Sequence, residues 1–139
     1  MKSFSSDTVT RATPEQAWRA WTDLPNWKKH DPTIESITLD CFENGARAQL
    51  KNKKGPGATL LIEDVKPGES FTIRTHLPLC TMLSFHKVVP TEDGGARFVF
   101  RTEFRGLLGD FFYAMFGQDI AKESEPNMQR LCELAETEY

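Results

Sequence analysis

The chain has 139 residues, a length that fits one domain spanning residues 1–139 with a substantial core. Lys and Arg number 17 against 20 Asp and Glu, so the formal net charge is −3. A protein that binds the phosphate backbone needs a basic face, so this balance argues against a nucleic-acid partner.

The chain begins with a predicted strand over roughly residues 4–10. A helix with clear start and stop signals follows. Thr13 is the candidate N-cap, Pro14 takes the first helical position, and Gln16 completes a capping box. Trp18 and Trp21 lie on one helical stripe, and Pro25 ends the helix. A short helical turn then carries the third tryptophan of the chain.

The middle of the chain predicts a meander of six strands. Turn signals recur at Asn44-Gly45, Gly55-Pro56-Gly57, Pro67-Gly68 and Asp93-Gly94-Gly95. Asn-Gly predicts a two-residue hairpin. The strand-length segments between these signals are IESITLDCF, ARAQLKNK, ATLLIEDV, SFTIRTHL, CTMLSFHKVV and ARFVFRTEF.

The last of these segments alternates in polarity, which indicates a sheet with one face on a core and one in water. The predicted inner residues are Phe98, Phe100, Thr102 and Phe104, and the predicted outer residues are Val99, Arg101, Glu103 and Arg105. Alternation in SFTIRTHL likewise places Phe71 on the inner face.

The C-terminal part predicts a long amphipathic helix, with an apolar stripe from Leu107 to Ile120 that resumes at Met128. Pro126 removes a helical hydrogen bond and clashes one turn back, so a kink or break is expected over residues 123–126. Ser124 is a candidate cap for a second segment. This helix is the only long element available to cover a seven-stranded sheet. A curved sheet around one helix tends to leave a ligand cavity.

Several motifs in order resemble the START-like (SRPBCC, helix-grip) superfamily, in its polyketide cyclase/dehydrase-like branch. They are A-T-P-E-Q-A-W at 12–18, W-T-D at 21–23, N-W-x-x-x-D-P at 26–32, V-x-P-G at 65–68, G-G-A-R at 94–97 and E-F-x-G at 103–106. The resemblance implies an α+β helix-grip fold: a seven-stranded curved antiparallel sheet around a long C-terminal helix, with two short helices after the first strand. It also implies a mostly apolar internal cavity, but no single reaction. The chain departs from the family where His30 replaces a frequent tryptophan.

The aromatic candidates divide into core and cavity. Trp18 and Trp21 are assigned to core packing, since tryptophan is usually largely buried. For Trp27, cavity wall and core plug remain equal alternatives. The predicted cavity set is Trp27, Phe71, His86, Phe98, Phe100, Thr102, Phe104, Phe112, Met115 and Phe116.

The histidines are the natural candidates for proton transfer near neutral pH. His76 and His30 are predicted to be exposed. Apolar alternation points His86 outward, whereas the register implied by the resemblance points it inward together with Ser84 and Val88; the second orientation is preferred. An inward histidine is more often a satisfied core residue than a catalyst.

The remaining chemistry is sparse. Cys41, Cys80 and Cys132 are odd in number, lack a CxxC pair and do not cluster with histidines, which predicts reduced thiols in a cytoplasmic protein. We expect no metal, no cofactor and no integral membrane segment. MKSFSSDTVTRATPEQ has no apolar signal-peptide core.

No motif assigns a catalytic residue. The predicted function is therefore binding of a hydrophobic small molecule: a lipid, an isoprenoid or an aromatic polyketide. The alternative is a polyketide cyclase, aromatase or dehydratase that uses His86 or a cavity Arg or Tyr. Binding is preferred to catalysis because Phe, Leu and Met dominate the predicted inner set. A third alternative is a protein-interaction module, which would show an exposed apolar patch. The sequence is compatible with a homo-oligomer.

Overall fold

The computed structural model describes residues 2–139 and has the order strand, two short helices, six strands and a long helix. The strands are β1 (Lys2–Thr10), β2 (Ile34–Thr38), β3 (Arg47–Asn52), β4 (Ala58–Lys66), β5 (Ser70–Leu77), β6 (Cys80–Pro90) and β7 (Ala96–Arg105). The first helix is α1 (Pro14–Thr22), followed by a 3₁₀ helix (Leu24–Lys29). The C-terminal helix consists of α2 (Gly109–Phe112), a π turn (Tyr113–Gly117) and α3 (Gln118–Glu138).

The seven strands form one antiparallel sheet in the order β1-β7-β6-β5-β4-β3-β2. The long β6–β7 pairing sets the register for its centre, where Ser84 lies opposite Thr102 and His86 opposite Phe100. Register shifts interrupt β2 and β4, and such bulges bend strands. The predicted helix-grip fold is confirmed, and so are the positions of the strands.

The link between β2 and β3 differs from the two-residue hairpin that Asn44-Gly45 predicts. β2 ends at Thr38, and a longer segment returns to β3. The Asn44 side chain accepts a hydrogen bond from the Val65 backbone N–H at 2.8 Å, and Phe42 packs edge-on against Phe71. These two contacts hold the segment against β4 and the core, so the turn closes a loop instead of a tight hairpin.

The α1 capping box forms as predicted. The Thr13 hydroxyl accepts from the Gln16 N–H at 3.1 Å, and the Gln16 side chain accepts from the Thr13 N–H at 2.8 Å. The helix buries Trp21 against the sheet, and the 3₁₀ helix that follows carries Trp27. The Trp27 indole N–H donates to the Trp21 carbonyl at 3.0 Å, which fixes the second ring relative to the first.

The C-terminal helix is continuous through Pro126, so the predicted break does not occur. Pro126 is exposed, and Ser124 does not cap a new helix but lies inside α3 with its side chain buried. The irregular element lies earlier, in the π turn. The two halves of α3 have different surroundings. The first half lines the cavity described below. The second half packs into the core through Met128, Leu131, Cys132 and Ala135.

One residue on the predicted water-facing side of β7 is buried. The Glu103 side chain is only 3% exposed, and its two oxygens lie 2.5 Å from Arg101 and 2.6 Å from Arg105. Two flanking guanidinium groups on the same strand face cover the carboxylate, which explains the departure from the simple alternation.

Candidate functional site

A cavity of about 330 Å³ lies between the centre of the sheet, the 3₁₀ helix and the first half of α3. Most of the surface of its wall is apolar, although ten of the sixteen lining residues are polar or charged. The lining residues are Trp21, Trp27, His30, Asp31, Thr33, Met82, Ser84, His86, Phe100, Thr102, Asp119, Ile120, Glu123, Ser124, Asn127 and Met128.

Four of the predicted site residues line this cavity: Trp27, His86, Phe100 and Thr102. They come from two sources. The inner face of β6 and β7 supplies the last three, because residues two apart on one strand share a face. The 3₁₀ helix supplies Trp27, which is half-buried at the edge of the cavity.

Three other predicted residues are buried in the protein but do not line the cavity. Phe71 and Phe98 are fully buried in the main core, where they contact Trp21 edge-on at 6.1 and 5.0 Å between ring centroids. Phe104 is also buried, but it packs against Tyr113 under the π turn. All three are buried, as expected for inward-facing residues, but none of them lines the cavity.

The other three predicted residues, Phe112, Met115 and Phe116, lie outside this cavity. A π turn takes one more residue per turn than an α-helix, so the faces before and after it differ by about one position. Tyr113 and Gly117 therefore face the protein, and Met115 and Phe116 are 50% and 39% exposed.

Exposed apolar side chains at the start of the C-terminal helix and in the β5–β6 turn form a surface that we call the end patch. It consists of Leu79, Leu107, Phe111, Met115 and Phe116. The Leu108 N–H donates to the Leu79 carbonyl at 3.0 Å, which joins the β5–β6 turn to the start of the C-terminal helix. The sequence pattern alone does not reveal this patch, because an apolar helical stripe normally indicates burial.

His86 faces inward, in the register implied by the family resemblance. Its imidazole stacks on Phe71 with ring centroids 4.3 Å apart and an interplanar angle of 3°. Trp21, Trp27 and Phe100 surround the remaining sides at 4.9, 5.8 and 5.3 Å. The histidine is therefore the polar centre of an aromatic cluster.

Burial controls the protonation of this histidine. Loss of hydration lowers the pKa of His86 to about 3, and this effect outweighs that of nearby backbone carbonyls, which favour the charged ring. The imidazole is therefore neutral at pH 7, and it presents one donor and one acceptor nitrogen instead of a positive charge.

His30 is buried, which corrects the prediction that it is exposed. It ends the 3₁₀ helix, packs against Trp27 at 5.9 Å between ring centroids, and lines the cavity. Arg130 of α3 donates from Nε to the His30 carbonyl at 2.9 Å and so holds this turn in place. Burial lowers the pKa of His30 to about 4; the Asp31 carboxylate opposes this shift and Arg130 adds to it.

Three residues that line the cavity each carry a buried polar atom with no hydrogen-bond partner among residues 2–139. The atoms are Nδ1 of His86, Oγ1 of Thr102 and Oγ of Ser124. Their residues are 3%, 1% and 8% exposed, and they belong to β6, β7 and α3. We call them the polar trio. Buried polar groups nearly always have a hydrogen-bond partner in proteins. Three such groups without a partner around one cavity indicate a place for a polar ligand atom.

Sequence reasoning missed most of the α3 contribution. The residues that reach the cavity are Asp119, Ile120, Glu123, Ser124, Asn127 and Met128. Their spacing of three and four is a helical face, but it mixes charged with apolar side chains. A search for an apolar stripe selects the more hydrophobic segment before residue 118 instead. Trp21 was assigned to the core, and it both fills the core and lines the cavity.

In the described part of the chain, no grouping of three or more His, Cys, Asp and Glu side chains could hold a metal ion. The three cysteines are free within the same residues, and burial raises the pKa of Cys132 and of Cys80. No helix among residues 2–139 has the length and apolar character to cross a membrane.

The chain matches the family described as polyketide cyclase / dehydrase and lipid transport over residues 1–136, and it therefore belongs to that family. No curated protein matches it in sequence.

Solved structures with the same fold include proteins of different activities. One is Ara h 8.0201, at 14% identity and a TM-score of 0.74, with 96% of this chain and 97% of that chain covered. Another is norcoclaurine synthase from Thalictrum flavum in complex with dopamine and hydroxybenzaldehyde. It has 13% identity and a TM-score of 0.72, with 96% of this chain and 85% of that chain covered. A third is the di-domain ARO/CYC StfQ from the steffimycin biosynthetic pathway, at 14% and 0.76, with 96% of this chain and 50% of that chain covered. At these identities the likeness establishes the fold, and fold and family are consistent with hydrophobic-ligand binding or cyclase chemistry.

Proposed function

We propose that this protein binds a small, mainly apolar molecule that carries a neutral hydrogen-bonding group. The observation that carries the proposal is the polar trio, whose residues line a cavity with a largely apolar surface. Each unpaired buried polar group costs about 1–3 kcal/mol. A ligand hydroxyl or carbonyl that reaches the trio would recover part of that cost.

The size and lining of the cavity narrow the ligand class. A volume of about 330 Å³ is at the lower end of the range for small-molecule sites. Trp21, Trp27 and Phe100 present aromatic surface, which favours contact with a ring system. Among the classes that the family suggests, a compact aromatic polyketide or a short isoprenoid fits better than a long-chain lipid.

The presence of His86, Thr102 and Ser124 around one cavity is also the observation that favours the cyclase or dehydratase alternative, since an enzyme needs polar groups near its substrate. Protonation argues against it. With a pKa of about 3, charging His86 at pH 7 costs roughly 5 kcal/mol, and an efficient general base has a pKa near the working pH. The trio is better suited to holding a neutral group than to accepting a proton.

The test compares naphthalene with 2-naphthol, which adds one hydroxyl to the same ring system. Both are titrated as competitors of the neutral dye N-phenyl-1-naphthylamine. We expect 2-naphthol to bind about three- to tenfold more tightly, because one neutral hydrogen bond contributes about 0.5–1.5 kcal/mol. Thr102→Val, which keeps the side-chain shape, should reduce this advantage.

Thr75→Val is the matched control. Thr75 is as buried as Thr102, at 3%, and its hydroxyl is equally unpaired within residues 2–139, but it does not line the cavity. Both variants should be as stable as the wild type or more so, and only Thr102→Val should change the hydroxyl preference. Failure of both naphthalenes to displace the dye would contradict the proposed function.

A further inference from the structure

The outer edge of the cavity carries three carboxylates, which we call the acidic rim. Asp119 and Glu123 are one turn apart on α3, and Asp31 lies opposite, after the 3₁₀ helix. Asp119 is exposed and the other two are half-buried, whereas the residues of the polar trio are buried. The cavity therefore has a neutral polar inner end and an acidic outer end.

Little positive charge offsets this rim. The cavity lining contains no Lys or Arg, and His30 and His86 are neutral at pH 7 because burial lowers their pKa values. Within residues 2–139, Asp31, Asp119 and Glu123 form no salt bridge.

Arg130 lies behind the rim, and the sequence neighbours Lys122 and Lys29 neither line the cavity nor pair with a rim carboxylate. The Arg130 Nε donates to the His30 carbonyl and its Nη2 to the Asn127 side chain, so both contacts hold lining residues in place. The lining itself holds three carboxylates and no Lys or Arg, which leaves the outer end of the cavity negative.

We propose that the cavity selects ligands that carry a basic amine, with the cation at the acidic rim and the apolar body against the aromatic wall, and that it rejects carboxylates and phosphates. This proposal rests on the proposed function and adds the charge of the ligand. The polar trio is the independent sign that a ligand enters here, because its three unpaired, buried atoms belong to residues that line the same cavity. The indole of Trp27 adds a favourable surface for a cation and an unfavourable one for an anion.

The test uses three probes with one apolar body: 2-naphthylmethylamine, 2-naphthylmethanol and 2-naphthoic acid, which are cationic, neutral and anionic at pH 7.5. Each displaces N-phenyl-1-naphthylamine from the folded protein at low ionic strength. We expect the amine to bind about tenfold more tightly than the alcohol, and the acid more weakly than both. Added salt should narrow the difference, since partly exposed charges are screened.

Asp119→Asn/Glu123→Gln removes two rim charges and keeps the side-chain shapes. It should cost the amine about three- to tenfold in affinity and leave the alcohol unchanged. Glu125→Gln/Glu133→Gln is the matched control, because it removes two exposed charges of the same helix outside the cavity. It should preserve the amine preference.

The outcomes separate the two proposals. If all three probes displace the dye equally, or the acid binds best, charge selection is overturned while ligand binding stands. An amine preference that survives the rim variant would also overturn it. If no probe displaces the dye, both proposals fail.

Discussion

His86 shows how one position can be polar in sequence and yet central to an aromatic cluster. Its ring lies flat on Phe71 and is enclosed by Trp21, Trp27 and Phe100. A charged imidazole would lose its hydration in this environment, so the folded protein holds the neutral form. The cluster therefore makes folding depend on pH.

The first prediction concerns this pH dependence. The pKa of His86 falls from 6.5 to about 3 on folding, so the unfolded chain binds a proton more readily. Stability is then complete above pH 6.5 and is lost as the pH falls towards 3. His30, with a folded pKa of about 4, behaves in the same way. Between pH 7 and pH 5, each buried histidine should remove about 2 kcal/mol from the free energy of unfolding.

Urea unfolding at pH 7 and pH 5 measures this loss. His86→Phe keeps an aromatic ring in the cluster and should show about half of the wild-type decrease. His76→Gln, which changes an exposed histidine, is the control and should retain the full decrease. A His86→Phe protein with the wild-type decrease would show that burial of the imidazole does not govern its charge.

The histidines also show how far the sequence predicts whether a single side chain is buried or exposed. Apolar alternation in CTMLSFHKVV points His86 outward, and only the family resemblance favoured the inward orientation. The environment of His30 depends on a contact with Arg130, which is 100 residues further along the chain. Local sequence around Lys28 and Lys29 indicates exposure, and a contact between such distant residues leaves no local pattern.

At the scale of elements, α3 is both a core helix and a cavity wall. Met128 and Leu131 belong to the core, and Ile120 and Ser124 to the cavity. Pro126 lies at the junction of the two halves without interrupting the helix. Proline has no N–H to donate to the carbonyl one turn back, so the junction lacks one helical hydrogen bond.

The second prediction is that Pro126 shapes the cavity. Pro126→Ala restores the missing hydrogen bond at an exposed position, so the protein should become more stable by about 1–3 kcal/mol. Because Ser124 and Asn127 line the cavity on either side, the affinity for N-phenyl-1-naphthylamine should change as well. Thermal unfolding and dye titration measure the two effects. An unchanged affinity with raised stability would restrict the role of Pro126 to the helix itself.

Strands were predictable in this protein for a physical reason. One sheet face meets the core, so apolar residues alternate along β5 and β7, and glycine-containing turns separate the strands. The π turn was not predictable, because an apolar helical stripe runs through it without interruption. Its effect is to direct Met115 and Phe116 outward and to leave the cavity to the more polar start of α3.

Considering residues 2–139 together, two surfaces could hold an apolar molecule: the cavity between the sheet and α3, and the end patch. The cavity combines aromatic walls with the polar trio and the acidic rim. The end patch is exposed and apolar, with Leu107 87% and Leu79 65% accessible. A hydrophobic dye alone does not distinguish them, so a decisive measurement must alter each surface separately.

We propose that this protein holds its ligand in the cavity between the sheet and α3, and titration with N-phenyl-1-naphthylamine tests this claim. Ser84→Phe places a large ring in the cavity, and Phe111→Ser/Met115→Ser makes the end patch polar. Thermal unfolding verifies that both variants fold. We expect the wild type and the patch variant to bind one dye per chain with saturation, and the cavity variant to lose that binding. Saturable binding that persists in Ser84→Phe and disappears in the patch variant would contradict the claim.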